Sequence, residues 1–175
     1  MSYITVYRIE PNGDVTPVEN IAYASSFHAL VWKVLGWKYG LVTPTRYIES
    51  PGVVDSILAM GGKGTLPPDE DLLLQSTRQR TCVPLEHIRW ICDLLESFYE
   101  RHGKGKGEAA TMPRIAKAIR AALQEQPECL GVTIEIGNTH PPVDWVVCDE
   151  ETGEKRPYNV HVDDNHEWVE QKGCI

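Results

Sequence analysis

The sequence contains no apolar run approaching the ~20 residues a membrane-spanning helix needs, and its start, Met1-Ser2-Tyr3-Ile4, lacks the basic and apolar regions of an export signal. Membrane insertion and secretion are therefore not expected, and a cytoplasmic location is. It also lacks any C-x-x-C pair: the five cysteines, Cys82, Cys92, Cys129, Cys148 and Cys174, are odd in number and widely spaced. That pattern suits neither a disulfide framework nor a closed zinc site and reads as reduced thiols. No G-x-S-x-G, H-E-x-x-H or G-x-G-x-x-G occurs, so the commonest hydrolase, metalloprotease and dinucleotide signatures are missing. Gly61-Gly62-Lys63-Gly64-Thr65 fails as a phosphate loop because Gly64 separates Lys63 from Thr65 and the preceding segment is helical in pattern. Thr152-Gly153-Glu154-Lys155-Arg156-Pro157 is similar to a zinc-finger linker, but ligands at finger spacing do not flank it. No internal repeat is present.

What is present is an ordinary globular composition. The chain has 175 residues, 42% apolar and 24% charged, enough for one core without a metal or disulfide staple. The net charge of −8 is unevenly spread. Residues 1–77 carry net −3, residues 78–120 net +4 and residues 121–175 net −9. Overall acidity disfavours non-specific nucleic-acid binding.

The pattern predicts a single α+β domain over residues 1–175. Tyr3 to Ile9 is rich in β-branched and aromatic residues, and Pro11-Asn12-Gly13-Asp14 turns it back toward Val15–Val18 as an N-terminal hairpin. A helical middle, about 25–125, follows. Ser25 or Ser26 caps a helix to about Lys38, with Phe27, Leu30, Val31, Val34 and Leu35 inward. Ser50-Pro51 opens a short helix, and Pro67-Pro68 with three acids opens another that ends near Gln79. The clearest helix runs from Pro84 to about His102, with Ile88, Ile91, Cys92, Leu95, Phe98 and Tyr99 as its stripe. Pro113 to Gln124 completes the group. The C-terminal part, about 131–163, is β: Gly131–Ile136, Asp144–Cys148 and Pro157–Val162. The expected fold is an antiparallel sheet, made of the N-terminal hairpin plus three C-terminal strands, packed against a central group of four or five helices.

Three residue groups invite function. The first is acidic and aromatic. Asp149, Glu150, Glu151 and Glu154 fall in one loop, Asp163 and Asp164 follow, and Trp145, Tyr158 and Trp168 are interleaved. Charge steers an encounter and aromatics anchor it, so this stretch suits a basic protein surface, such as that of a nucleic-acid-binding host protein. The second is His161, Asp163 and His166, the residue types that hold a divalent transition metal with an open water position, as in a small metal-dependent hydrolase. The third is a basic stripe, Arg114, Lys117 and Arg120, recurring every three residues opposite an apolar face. It suits phosphate contacts or docking on the acidic sheet of a second copy in a homo-oligomer. No catalytic pair stands out, so the leading expectation is a non-enzymatic interaction protein without a cofactor.

Ser2-Tyr3-Ile4-Thr5-Val6-Tyr7-Arg8, the stretch from Leu72 to Val83, and Pro157-Tyr158-Asn159-Val160-His161 with His166-Glu167-Trp168 resemble small acidic proteins of unknown function from bacteriophages and mobile elements. The resemblance touches a small part of the chain. It implies an accessory protein acting on host machinery, such as an inhibitor, and transfers no catalytic residue.

Overall fold

A computed structural model describes residues 2–23, 27–77, 80–105, 110–136, 146–148 and 155–157. Six strands and five helices follow in the order β1 (Ser2–Ile9), β2 (Val15–Tyr23), α1 (Phe27–Lys38), α2 (Val53–Leu58), α3 (Pro68–Gln75), β3 (Arg80–Pro84), α4 (Ile88–Phe98), α5 (Thr111–Glu125), β4 (Gly131–Ile136), β5 (Val146–Cys148) and β6 (Lys155–Pro157). The predicted α+β class holds. Among the described residues, no helix is long and apolar enough to cross a membrane.

β1 and β2 form the expected hairpin. Its turn is fixed by Gly13 at φ 90° and by the Asp14 N–H donating to Asn12 Oδ1 at 3.0 Å. The register slips between Val6 and Tyr7, opposite Glu19 and Pro17. Pro17 lacks an N–H and sits in β2, the edge strand, where a missing donor is tolerated. β1 then pairs antiparallel with β4, and β4 with β3, giving the order β2-β1-β4-β3. The sheet thus joins the N-terminal hairpin to a strand more than a hundred residues later, as the pattern predicted.

Two details differ from the expectation. The segment after α3 is not helix to Gln79: α3 stops at Gln75, and Arg80–Pro84 forms the fourth strand of the main sheet. β5 and β6 pair with each other in a separate two-stranded sheet rather than extending the main one. Of the expected strands Asp144–Cys148 and Pro157–Val162, only 146–148 and 157 lie within the described residues as strand, and β6 begins earlier, at Lys155. The expected cap, Ser25 or Ser26, lies outside the described residues.

The helices cover one face of the main sheet. Ile4, Val6, Ile21, Val83, Val132 and Ile134 point into a core shared with Val31, Leu35, Ile57, Leu74, Ile91, Leu95, Ile115 and Ile119, each almost fully buried. The predicted stripe of α4 is the buried one from Ile88 to Phe98, with Tyr99 half-buried beyond it. A 3₁₀ turn at Leu85–His87 leads into α4, and a π turn at Tyr99–Gly103 ends it. On the opposite face, Thr133 is 0% and Glu135 1% exposed. Burial, and then the neighbouring Glu135 carboxylate, raise the Tyr7 hydroxyl above the ordinary tyrosine value.

Candidate functional site

The acidic–aromatic group falls outside the described residues: Trp145, Asp149, Glu150, Glu151, Glu154, Tyr158, Asp163, Asp164 and Trp168. The metal candidates His161, Asp163 and His166 do as well. Their flanks are described. Val146 pairs with Pro157, Val147 with Arg156 and Cys148 with Lys155. Four of the six residues that lie between these two strands in sequence are acids. Among the described residues, no group of three or more His, Cys, Asp or Glu is arranged to hold a metal. Cys82, Cys92 and Cys129 are buried, and burial pushes the Cys92 thiol up to about 11 and raises that of Cys129. Neither of these two supplies a thiolate at neutral pH.

The basic stripe of α5 is placed in full. Arg120 Nη2 lies 2.9 Å from Glu96 Oε2 and 3.1 Å from Asp93 Oδ1, and its Nη1 bonds the other Glu96 oxygen. This bidentate fork holds the Glu96 carboxyl below the usual value. Arg114 Nη2 lies 3.3 Å from Glu19 Oε1 on β2. Lys117 is exposed and makes no ion pair among the described residues. Two of the three cations are thus tied to carboxylates of neighbouring elements. Beside Arg120, a cleft of about 360 Å³ opens between α4 and α5, lined by Ile88, Arg89, Asp93, Arg120, Leu123 and Gln124. Its charges balance, two guanidiniums against Asp93 and the adjoining Glu96, so it has no net pull on an anion.

A different surface went unread in the sequence. Trp37, Tyr39 and Tyr47 are 48%, 37% and 61% exposed, and are the exposed aromatic side chains among the residues whose burial is described. All three lie on the last turn of α1 and the loop after it. The backbone there is rigidly closed. The Gly40 N–H donates to Trp37 O at 3.3 Å, and the Leu41 N–H to Gly36 O at 2.8 Å. This is a Schellman ending, with Gly40 in the left-handed region at φ 72°. Val42 folds back so closely that a methyl on Gly36 would stand 2.6 Å from Val42 Cγ2. Thr43 and Arg46 then exchange backbone hydrogen bonds at 2.9 and 3.2 Å, with Thr43 Oγ1 accepting from the Arg46 N–H at 3.1 Å.

Cations accompany the rings. Lys33 and Trp37 are both exposed and one turn apart on α1, so they are neighbours on the solvent stripe. Lys38 Nζ lies 5.4 Å from the Tyr39 ring centroid. Lys38 also pairs with Glu70, whose other oxygen accepts from the Tyr39 hydroxyl at 2.6 Å. Burial raises the Glu70 carboxyl, but these two donors outweigh it and hold the group below its ordinary value, with help from the charge of Arg101. Arg46 immediately precedes Tyr47. No Asp or Glu occurs between Glu19 and Glu49. The signal was therefore available: Trp37 falls off the apolar stripe of α1, in a long stretch free of carboxylates.

The Schellman ending gives a direct test of this geometry. Gly40→Ala is expected to cost about 1 kcal/mol, because a Cβ is disfavoured at that φ although nothing stands near it. Thermal unfolding should show a melting temperature lower by about 2–4 °C. No change would mean that the loop leaves the left-handed conformation at little cost.

Comparison of the chain with protein-family models, with curated proteins and with solved structures finds no match.

Proposed function

We propose that this chain is a non-enzymatic acidic interaction protein that binds a basic protein surface, of the kind a nucleic-acid-binding host protein carries, and so acts as a phage-type inhibitor would. The observation that supports this reading is the pairing of Val146–Cys148 with Lys155–Pro157. Asp149, Glu150, Glu151 and Glu154 lie between these strands in sequence, in the part of the chain that carries net −9. An excess of carboxylates in a short stretch accelerates encounter with a cationic surface. Trp145, Tyr158 and Trp168 are the nearby aromatics of the type that anchors such an encounter.

Affinity capture from host lysate at low and at high salt identifies the partner, and stopped-flow binding then tests the mechanism. Reversing Glu150, Glu151 and Glu154 to lysine should slow association by about tenfold or more at low salt, with a smaller effect at high salt. An association rate unchanged by the triple reversal would overturn the reading.

A further inference from the structure

We propose that the aromatic and cationic surface at the end of α1, formed by Lys33, Trp37, Lys38, Tyr39, Arg46 and Tyr47, binds single-stranded nucleic acid. Proteins that hold single strands without strong sequence preference pair flat rings, on which unstacked bases lie, with cations that meet the phosphates. Both are present here in alternation. The three exposed rings are Trp37, Tyr39 and Tyr47, and a cation adjoins each one: Lys33 a turn before Trp37, Lys38 at Tyr39, Arg46 before Tyr47.

The rings are also held in place before any ligand arrives. The Schellman ending, the contact of Val42 on Gly36, and the two-way Thr43–Arg46 pairing fix the backbone that carries them. Covalent reach from these fixed points keeps Tyr47 within about 20 Å of Trp37, the length of a few nucleotides. The backbone is thus ordered before binding, and the cost that remains is that of fixing the exposed side chains.

Chemistry favours a single strand over the alternatives. A duplex keeps its bases stacked on each other and offers these rings only its backbone. An acidic peptide would satisfy the cations and leave three ring faces without partners. The core of a protein–protein interface is depleted in charge, whereas here Lys38 lies over the Tyr39 ring and exposed Lys33 and Arg46 are close in sequence to Trp37 and Tyr47. The α5 stripe keeps only Lys117 outside an ion pair, because Arg114 and Arg120 are engaged by Glu19, Asp93 and Glu96, whereas at the end of α1 only Lys38 is engaged, by Glu70.

The test is fluorescence anisotropy with a labelled oligothymidylate at low salt, run beside a duplex and a polyglutamate peptide. Saturable binding to the single strand is expected. The logarithm of its affinity should fall against the logarithm of salt with a slope of about −1.4, the value for two phosphate contacts on a single strand, made by Lys33 and Arg46. Trp37→Ala and Tyr47→Ala should each weaken binding by about tenfold, within the range for loss of one stacked base. Trp37→Phe should restore most of that loss, and Lys117→Glu on α5 should have little effect. Because Trp37 and Tyr47 are exposed, both alanine variants should unfold at the wild-type temperature, which separates lost binding from lost folding. Polyglutamate or duplex binding as tight as the oligothymidylate would overturn the proposal, as would full affinity in the Trp37→Ala variant or no binding at low salt. The proposal is independent of the acidic hairpin: the Glu150, Glu151 and Glu154 reversal should leave oligothymidylate binding in place.

Discussion

Replacing Gly131 with alanine is expected to lower the unfolding free energy by about 3 kcal/mol and to loosen β3 from the sheet. Gly131 opens β4 and lies between two strands, opposite Ile9 on one side and Pro84 on the other. Its neighbour Leu130 ties the same point together. The Leu130 N–H donates to Ile9 O at 2.9 Å, and its carbonyl accepts from the Leu85 N–H at 3.2 Å. A Cβ on Gly131 would stand 2.4 Å from the Val83 carbonyl oxygen and 3.1 Å from Pro84 Cα. Both contacts are with backbone, so no rotamer change relieves them; β3 itself must move. Thermal unfolding should show a drop of about 6–12 °C, and amide exchange should rise along β3 more than along β2. An unchanged melting temperature, or exchange faster equally in all four strands, would contradict this account of the β3–β4 junction.

The second large effect is on pH. His28 lies in α1 with its ring centroid 4.6 Å from that of Trp32, and burial lowers its pKa to about 4. In the unfolded chain an ordinary histidine titrates near 6.5. Between those values the unfolded state binds the proton and the folded state does not, so acid favours unfolding. The contribution of neutral His28 is present above about pH 6.5 and is lost progressively down to about pH 4. Allowing for its partial exposure, the loss is on the order of 2–3 kcal/mol. His28→Phe keeps a ring against Trp32 and removes the titration. Denaturant unfolding across pH 7 to 4 should therefore show a shallower decline in the variant. Glu70 and Glu96, whose carboxyls are held below their ordinary values, act in the same direction but lose their contribution lower in pH. Parallel pH curves for wild type and His28→Phe would show that this histidine is not desolvated.

The helices were legible because their signal is local. Ile88, Ile91, Cys92, Leu95 and Phe98 repeat at helical spacing, and those are the side chains that α4 buries. The N-terminal hairpin was legible for the same reason, through Asn12-Gly13. β3 was not. Its five residues, Arg80-Thr81-Cys82-Val83-Pro84, are flanked by helices, and their partner β4 lies far along the chain. Alternation also misled at Thr133 and Glu135. It correctly separated them from Val132 and Ile134, but it says nothing about what covers the second face, and both are buried. The basic stripe of α5 was read correctly as a stripe. Its neutralisation was hidden, because the partners Glu19, Asp93 and Glu96 come from other elements. Trp37 shows the converse. Aromatic residues count as core in a composition, and only the phase of α1 turns this one outward.

The strand order β2-β1-β4-β3 also bears on how the molecule is made. During synthesis the β1–β2 hairpin leaves the ribosome early, but the inner edge of β1 has no partner until β4 is translated, from Gly131 onward. At cellular elongation rates of about 5–20 residues per second, that wait is roughly 6–25 s. Throughout it, Ile4, Val6 and Ile9 sit on a strand with open hydrogen-bonding groups along one side, the form most prone to pair with another chain. The nascent protein is thus most exposed to aggregation or chaperone capture before β4 emerges, and truncations that remove β4 should accumulate in that state.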